Sequence, residues 1–233
     1  MKDRRGNERR KPADAGYPGG ADAPLRAADL AQAAVAQAAR AKALVLVEGI
    51  SDQIAVEAAA RRLGRDLASE GVVVLPAGGV GNIGALAARF GPAGAGLPLV
   101  GLCDAAEVTW VCRALVKARV GIALDRAGLE RLGFHVCDRD LEDELIRALG
   151  VDRVEALLEA ENDLEAFRTL QGQRAWRDAA LTDQIRRFLG AGARRKLRYA
   201  GVFVAALDLA RMPAPLVAVL ATLPGLRCDP VLV

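Results

Sequence analysis

Carboxylates recur in this chain at one kind of position, the end of an apolar run. Glu48 closes Ala-Leu-Val-Leu-Val (43–47), and Asp52 stands four residues beyond it. Asp104 ends the run 97–104, with Glu107 close behind. Asp138 ends a shorter run, 133–138, and Asp140, Glu142, Asp143 and Glu144 follow. Carboxylates brought together raise one another's pKa unless a cation neutralises them. Hard oxygen ligands suit Mg2+ or Mn2+, which keep waters and share substrate phosphates. One or two such ions can align a nucleophile, activate water and stabilise the leaving oxygen in phosphoryl transfer. Glu48 carries the most weight, because a carboxylate placed after five apolar strand residues is costly without a partner. Plainer readings stand beside this one. Asp52 suits a helix N-terminus, Glu142 to Glu144 suit a solvated first turn, and Glu107 reads as a helix-start acid rather than a ligand.

The elements that would position these acids follow from the pattern. Apolar runs stopped by an acid or glycine are what parallel strands buried on both faces look like. Four are predicted, over 43–49, 71–79, 97–104 and 133–138. Helices are predicted over about 24–41, from a Ser51 cap to Gly64, over 82–90 and over about 107–118. Such alternation keeps strands parallel and covers both faces of the sheet. Ligands of open parallel sheets bind beyond the carboxyl ends of the strands. Three strand ends thus deliver acids to one edge. From Asp140 onward the pattern is almost purely helical. The expected organisation is a disordered basic tail over 1–25, an α/β domain over 26–150 and a helical region over 151–233.

Composition narrows the function classes. Hydrophobic residues make up 52% of the 233, enough for a sizeable core. Only 4% are aromatic, which argues against base-stacking platforms. The net charge of +3 is too mild to imply nucleic acid by itself, because clustering matters more than the total. Basic residues do cluster, in the first eleven residues, at Arg186-Arg187, and at Arg194-Arg195-Lys196 with Arg198. These patches read either as phosphate-neutralising surface or as solvated helix face. Four scattered cysteines without a CxxC pair, and a single histidine, argue against zinc and suggest reduced thiols. His135 reads as structural, and Trp110 and Trp176 as packing residues. No apolar stretch suits a signal peptide or a membrane span, so a soluble cytoplasmic protein without a membrane partner is expected.

Val47-Glu48-Gly49-Ile50-Ser51-Asp52, a Gly-rich turn, and an apolar strand ending in Asp104 together resemble a TOPRIM domain. That is the metal-dependent, Rossmann-like module of topoisomerases, primases and OLD-family (overcoming lysogenization defect) nucleases. An acid four residues after the glutamate and a later Asp140-Leu141-Glu142 make the OLD-type endonucleases the most similar. The resemblance covers about 43–145, and the overall length is similar to that of short stand-alone actinobacterial TOPRIM proteins. It implies an α/β fold with a parallel sheet of about four strands flanked by helices and followed by a helical C-terminal region. It also implies a Mg2+- or Mn2+-dependent endonuclease, with metal-activated water attacking a DNA phosphodiester. Glu48, Asp52, Asp104, Asp140 and Glu142 would be metal ligands, and Glu48 could also act as general acid or base. The looser match around Arg194-Arg195-Lys196 implies a catalytic Lys196, with Arg194, Arg195 and Arg198 beside it on the nucleic acid.

Two departures from the family pattern bear on this. Where the family has Asp-x-Asp, this chain reads Asp104-Ala105-Ala106-Glu107, which bears on one metal site and on catalytic competence. No GxxxxGK[ST] phosphate loop occurs, so an ATPase would be a separate partner. A homo-oligomer is left open. One alternative is a catalytically degenerate TOPRIM module that binds nucleic acid or a partner protein. The other is a dinucleotide-binding enzyme using Gly79, Gly81 and Gly84 of a GxGxxG segment; in a chain with 24 glycines the same residues also read as a tight strand-to-helix turn.

Overall fold

The computed structural model describes residues 23–223. The basic segment before them and Cys228 lie outside the described residues; residues 23–25, assigned above to the tail, begin the first helix. The order is α1 (Ala23–Ala38), β1 (Ala43–Val47), α2 (Ile50–Arg62), α3 (Leu67–Glu70), β2 (Val72–Pro76), α4 (Ile83–Phe90), β3 (Leu99–Asp104) and α5 (Val108–Lys117). Then come α6 (Arg126–Arg131), β4 (Phe134–Cys137), α7 (Leu141–Leu149) and α8 (Val151–Ala160). α9 (Leu164–Gly172), α10 (Leu181–Gly190), α11 (Ala193–Ala206) and α12 (Ala214–Thr222) complete the helical region. The four strands are those expected from the apolar runs, each a little shorter. Helices α3 and α6 have no counterpart in the sequence pattern, because four and six residues are too few to show a helical period.

One helix start differs from expectation. Gly49, not Ser51, caps α2; its backbone is extended, and its amide donates to Asp52 Oδ2 at 2.9 Å. A carboxylate three residues into a helix can reach back to the cap amide, so Asp52 ties down the turn that follows Glu48.

The strands form one parallel sheet in the order β2-β1-β3-β4. β1 is fully buried, and its alternating side chains enter two different cores. Leu44 and Leu46 pack with Leu75, Cys103 and Phe134 beneath α1, α4, α5 and α6. Val45 and Val47 pack on the other face with α2, α7 and the later helices, through residues such as Phe203, Val204 and Leu216. The helices beyond residue 150 therefore share a core with the sheet rather than forming a core of their own. Arg62 of α2 reinforces this, donating to the Val204 carbonyl at 2.8 Å and to that of Leu207 at the end of α11. Arg65, almost fully buried, donates to the Leu220 carbonyl of α12 and pairs with Glu70.

Gly101 in β3 lets the central strands approach. A Cβ there would lie 2.5 Å from the Leu46 carbonyl oxygen and 2.8 Å from the Phe134 ring. Gly101→Ala must push β3 away from β1 or β4, and is expected to cost about 1–3 kcal/mol, the usual range for overpacking a core. A urea unfolding curve checks this; an unchanged midpoint would contradict the close approach.

Candidate metal centre

The sheet order places the site. β2 lies on one side of β1 and β3 on the other, so the chain reverses direction across the sheet between β1 and β3. The crevice beyond the carboxyl ends at such a switch point is where open α/β sheets bind ligands. Glu48 leaves the end of β1 and Asp104 ends β3. A 3-10 turn over Ala105–Glu107 then brings Glu107 back towards them. One carboxylate oxygen from each of Glu48, Asp104 and Glu107 lies within 4.8 Å of the other two. Glu107 is thus more than a helix-start acid. Its 3-10 turn, too short to show in a periodicity, carries the carboxylate to the cluster one position beyond where a second Asp would stand.

Two further acids and a lysine belong to the same field. Asp52 Oδ2 is held by the Gly49 amide, and Glu142, in the first turn of α7, meets Lys196 Nζ of α11 at 2.8 Å. Burial, then Glu142 and Glu48, push the Asp52 carboxyl up to about 7, while the Gly49 amide and Lys196 pull it down. Burial, then Asp52, Glu48, Glu107 and Glu142, push Asp104 up to about 7 as well. Glu107 is raised by burial and by Glu48. Burial works against the Lys196 charge, but Glu142, Asp52 and Glu48 outweigh it and raise its pKa. Elements far apart in the chain have brought five acids and one cation together.

Other residues singled out in the sequence stand apart from the triad. Asp140 caps α7, accepting from the Asp143 amide at 2.8 Å, and its other oxygen pairs with Arg186 of α10. Asp143 and Glu144 pair with Arg147, each at 2.8 Å. Arg195 and Arg198 both grip Asp163, at 3.3 and 2.5 Å, and Arg195 also lies over the Phe188 ring at 3.9 Å. Tyr199 donates to the same Asp163 carboxylate at 3.0 Å. Arg194 is exposed, and Lys196 faces the acids. His135 meets the Thr222 hydroxyl at 3.0 Å, and Trp176 packs against the core. Trp110 is 40% exposed on the outer side of α5 rather than filling a gap. Cys103, Cys112 and Cys137 are buried free thiols.

The glycine segment that suggested a dinucleotide follows β2, an edge strand, rather than a strand at the switch point. Gly79 donates to the Glu48 carbonyl at 3.0 Å, and Gly84 lets α4 rest on Ala114 of α5. Gly79 has φ of 116°, a value that favours glycine. These glycines build the turn beside Glu48.

A family model, the TOPRIM domain of overcoming lysogenization defect (OLD) protein-like proteins, matches residues 41–105. Residues 41–105 are an OLD-like TOPRIM domain. The match contains Glu48, Asp52 and Asp104, and stops just before Glu107. The fold extends the likeness beyond the matched residues. The C-terminal region of the Xanthomonas campestris pv. campestris OLD protein superposes with a TM-score of 0.59 at 24% identity, over 77% of this chain and 93% of that one. The C-terminal region of the Burkholderia pseudomallei OLD protein gives 0.56 at 23% identity, over 77% and 95%. At that identity the structures speak for the fold alone, a TOPRIM sheet with its helical C-terminal region. No curated protein matches this sequence. Among the described residues, no helix is long and apolar enough to cross a membrane.

The crowded acids make stability depend on pH. Asp52 and Asp104 hold protons in the folded protein up to about pH 7, well above their release when unfolded near 3.8. The folded state therefore binds more protons between those values, and its stability falls as pH rises through them. A divalent cation would replace the protons and offset that loss. Thermal melting in chelator is expected to show a lower Tm at about pH 8 than at about pH 5. Mg2+ should raise Tm by roughly 2–8 °C at the higher pH and by much less at the lower. Equal Mg2+ shifts at both would contradict the crowded-carboxylate site.

Proposed function

We propose that this protein is a divalent-metal-dependent nuclease that hydrolyses DNA phosphodiester bonds. The observation that carries the reading is the convergence of Glu48, Asp104 and Glu107 at the switch point of a TOPRIM sheet. The donor set fits a hard ion such as Mg2+ or Mn2+: every candidate ligand is a carboxylate oxygen, and Glu107 Oε2 is buried without a hydrogen-bond partner. An ion held there would supply Lewis acidity, polarising a phosphoryl oxygen and making water a better nucleophile.

The chain's own residues divide the remaining work. Glu48, Asp104 and Glu107 would hold and orient the ion, and Glu48 would also serve as general acid or base. Asp52 and Glu142 add negative charge to the same field, and Asp52, its carboxyl pushed up to about 7 by burial and Glu142, would release its proton as a cation enters. Lys196, kept charged by Glu142, offers a fixed cation for the charge that builds on a phosphate in the transition state. Asp140 acts through α7, whose first turn it caps and which carries Glu142. Any ATPase coupled to the reaction would lie outside these 233 residues, which contain no phosphate loop.

Ala106, in place of the second acid of Asp-x-Asp, favours one other reading, a TOPRIM module that binds nucleic acid without cutting it. Conversion of supercoiled plasmid to nicked or linear forms separates the two. Wild type is expected to cut with Mg2+ or Mn2+ and not with chelator. Glu48→Ala should lose at least about 100-fold in rate, the order that removing one charge-stabilising group costs. Tight DNA binding without cleavage in any divalent ion would favour the binding module, and cleavage indifferent to Glu48→Ala would refute the assignment.

A further inference from the structure

A basic cleft that the carboxylate chemistry does not explain is joined to the start of α7 through the Asp140–Arg186 pair. It is lined by Arg139, Arg186, Arg187, Asp183 and Trp176, and has a volume of about 500 Å3, within the ~300–1,000 Å3 usual for ligand sites. Arg139 comes from the β4–α7 connection, and the other two arginines come from α10. The same connection leads into the helix that carries Glu142: Arg139 directly precedes Asp140, which caps α7 and holds Arg186.

The guanidinium groups in the cleft are crowded and incompletely neutralised. Arg139 pairs with Asp183 at 2.8 Å and Arg186 with Asp140. Arg186 Nε is buried without any partner. Its pKa is lowered by burial and then by the Arg139 charge, with Asp104 acting the other way. Arg187 is exposed, extends over the Trp176 ring 5.9 Å from its centre, and meets no carboxylate among the described residues. Cations held this close repel one another until an anion enters, and forked guanidinium donors match phosphate oxygens.

We propose that this cleft seats a backbone phosphate of the nucleic-acid strand whose neighbouring phosphodiester lies at the Glu48–Asp104–Glu107 cluster. The inference rests on the nuclease reading above and names its substrate-gripping surface. Arg195 and Arg198, from the patch that stood out in the sequence, contribute less, because both are already committed to Asp163.

Binding of a fluorescently labelled phosphorothioate DNA duplex, which keeps the backbone charge and resists cleavage, tests the idea by anisotropy in Mg2+ across a salt series. Arg139 and Arg187 are the residues to change, because Arg186 also positions α7. The double variant R139A/R187A should bind more weakly on every sequence, and its dependence of log affinity on log salt should fall by about 1, the loss of the one phosphate seated in the cleft. Its Mg2+-induced rise in Tm should match wild type, showing that the metal centre and fold are intact. A charge-matched control, R113A/K117A on α5, should leave binding and slope unchanged. Equal slopes in wild type and R139A/R187A, or an equal loss in the control, would overturn the cleft while leaving the nuclease reading standing. No binding by wild type would overturn both.

Discussion

Like charges forced together at the end of a sheet are the constraint around which this molecule is organised. Glu48, Asp104 and Glu107 would separate if they were free to move, and their proximity is sustained only because rigid elements supply each one. β1 and β3 are neighbouring, in-register and buried, so the residues leaving their ends have little choice of direction. Burial also amplifies the repulsion, because it withdraws water that would otherwise screen it. The result is a site that favours either protons or a cation, and whose choice between them is set near neutral pH.

The helical part of the chain completes that site because it is not an independent appendage. α11 packs along α2, with Phe203 and Val204 in the same core as Val45 and Val47, and this packing carries Lys196 to Glu142. Arg62 and Arg65 bind carbonyls at the ends of α11 and α12 over more than a hundred residues of chain. Such long-range polar anchors add direction to an apolar contact that could otherwise slide. α10 is placed in the same way, and through the Asp140–Arg186 pair it joins the basic cleft to the first turn of α7. The basic cleft is thus tied to the helix whose first turn carries Glu142.

The departure from the family pattern at Ala106 has a structural counterpart. The chain tightens into a 3-10 turn immediately after Asp104, and the carboxylate that joins Glu48 and Asp104 comes from Glu107. Glu107 joins the cluster through a short turn, which a motif read by spacing alone does not register.

Much of the fold was legible in the sequence because strands buried on both faces must be apolar throughout, and each run here ends in an acid or a glycine. Glu48 and Asp104 could be singled out on that basis, since a carboxylate at the end of such a run is costly unless something uses it. The sequence could not decide how later charges are shared out. Asp140 and Glu142 are two residues apart, yet one caps a helix and pairs with Arg186 while the other meets Lys196. Arg195 and Arg198 looked like free surface until Asp163, more than thirty residues away, claimed both. Burial and periodicity are local properties of a chain, readable from neighbouring residues. The partner of a charge depends on which distant helix is packed against it, and only the tertiary structure decides that.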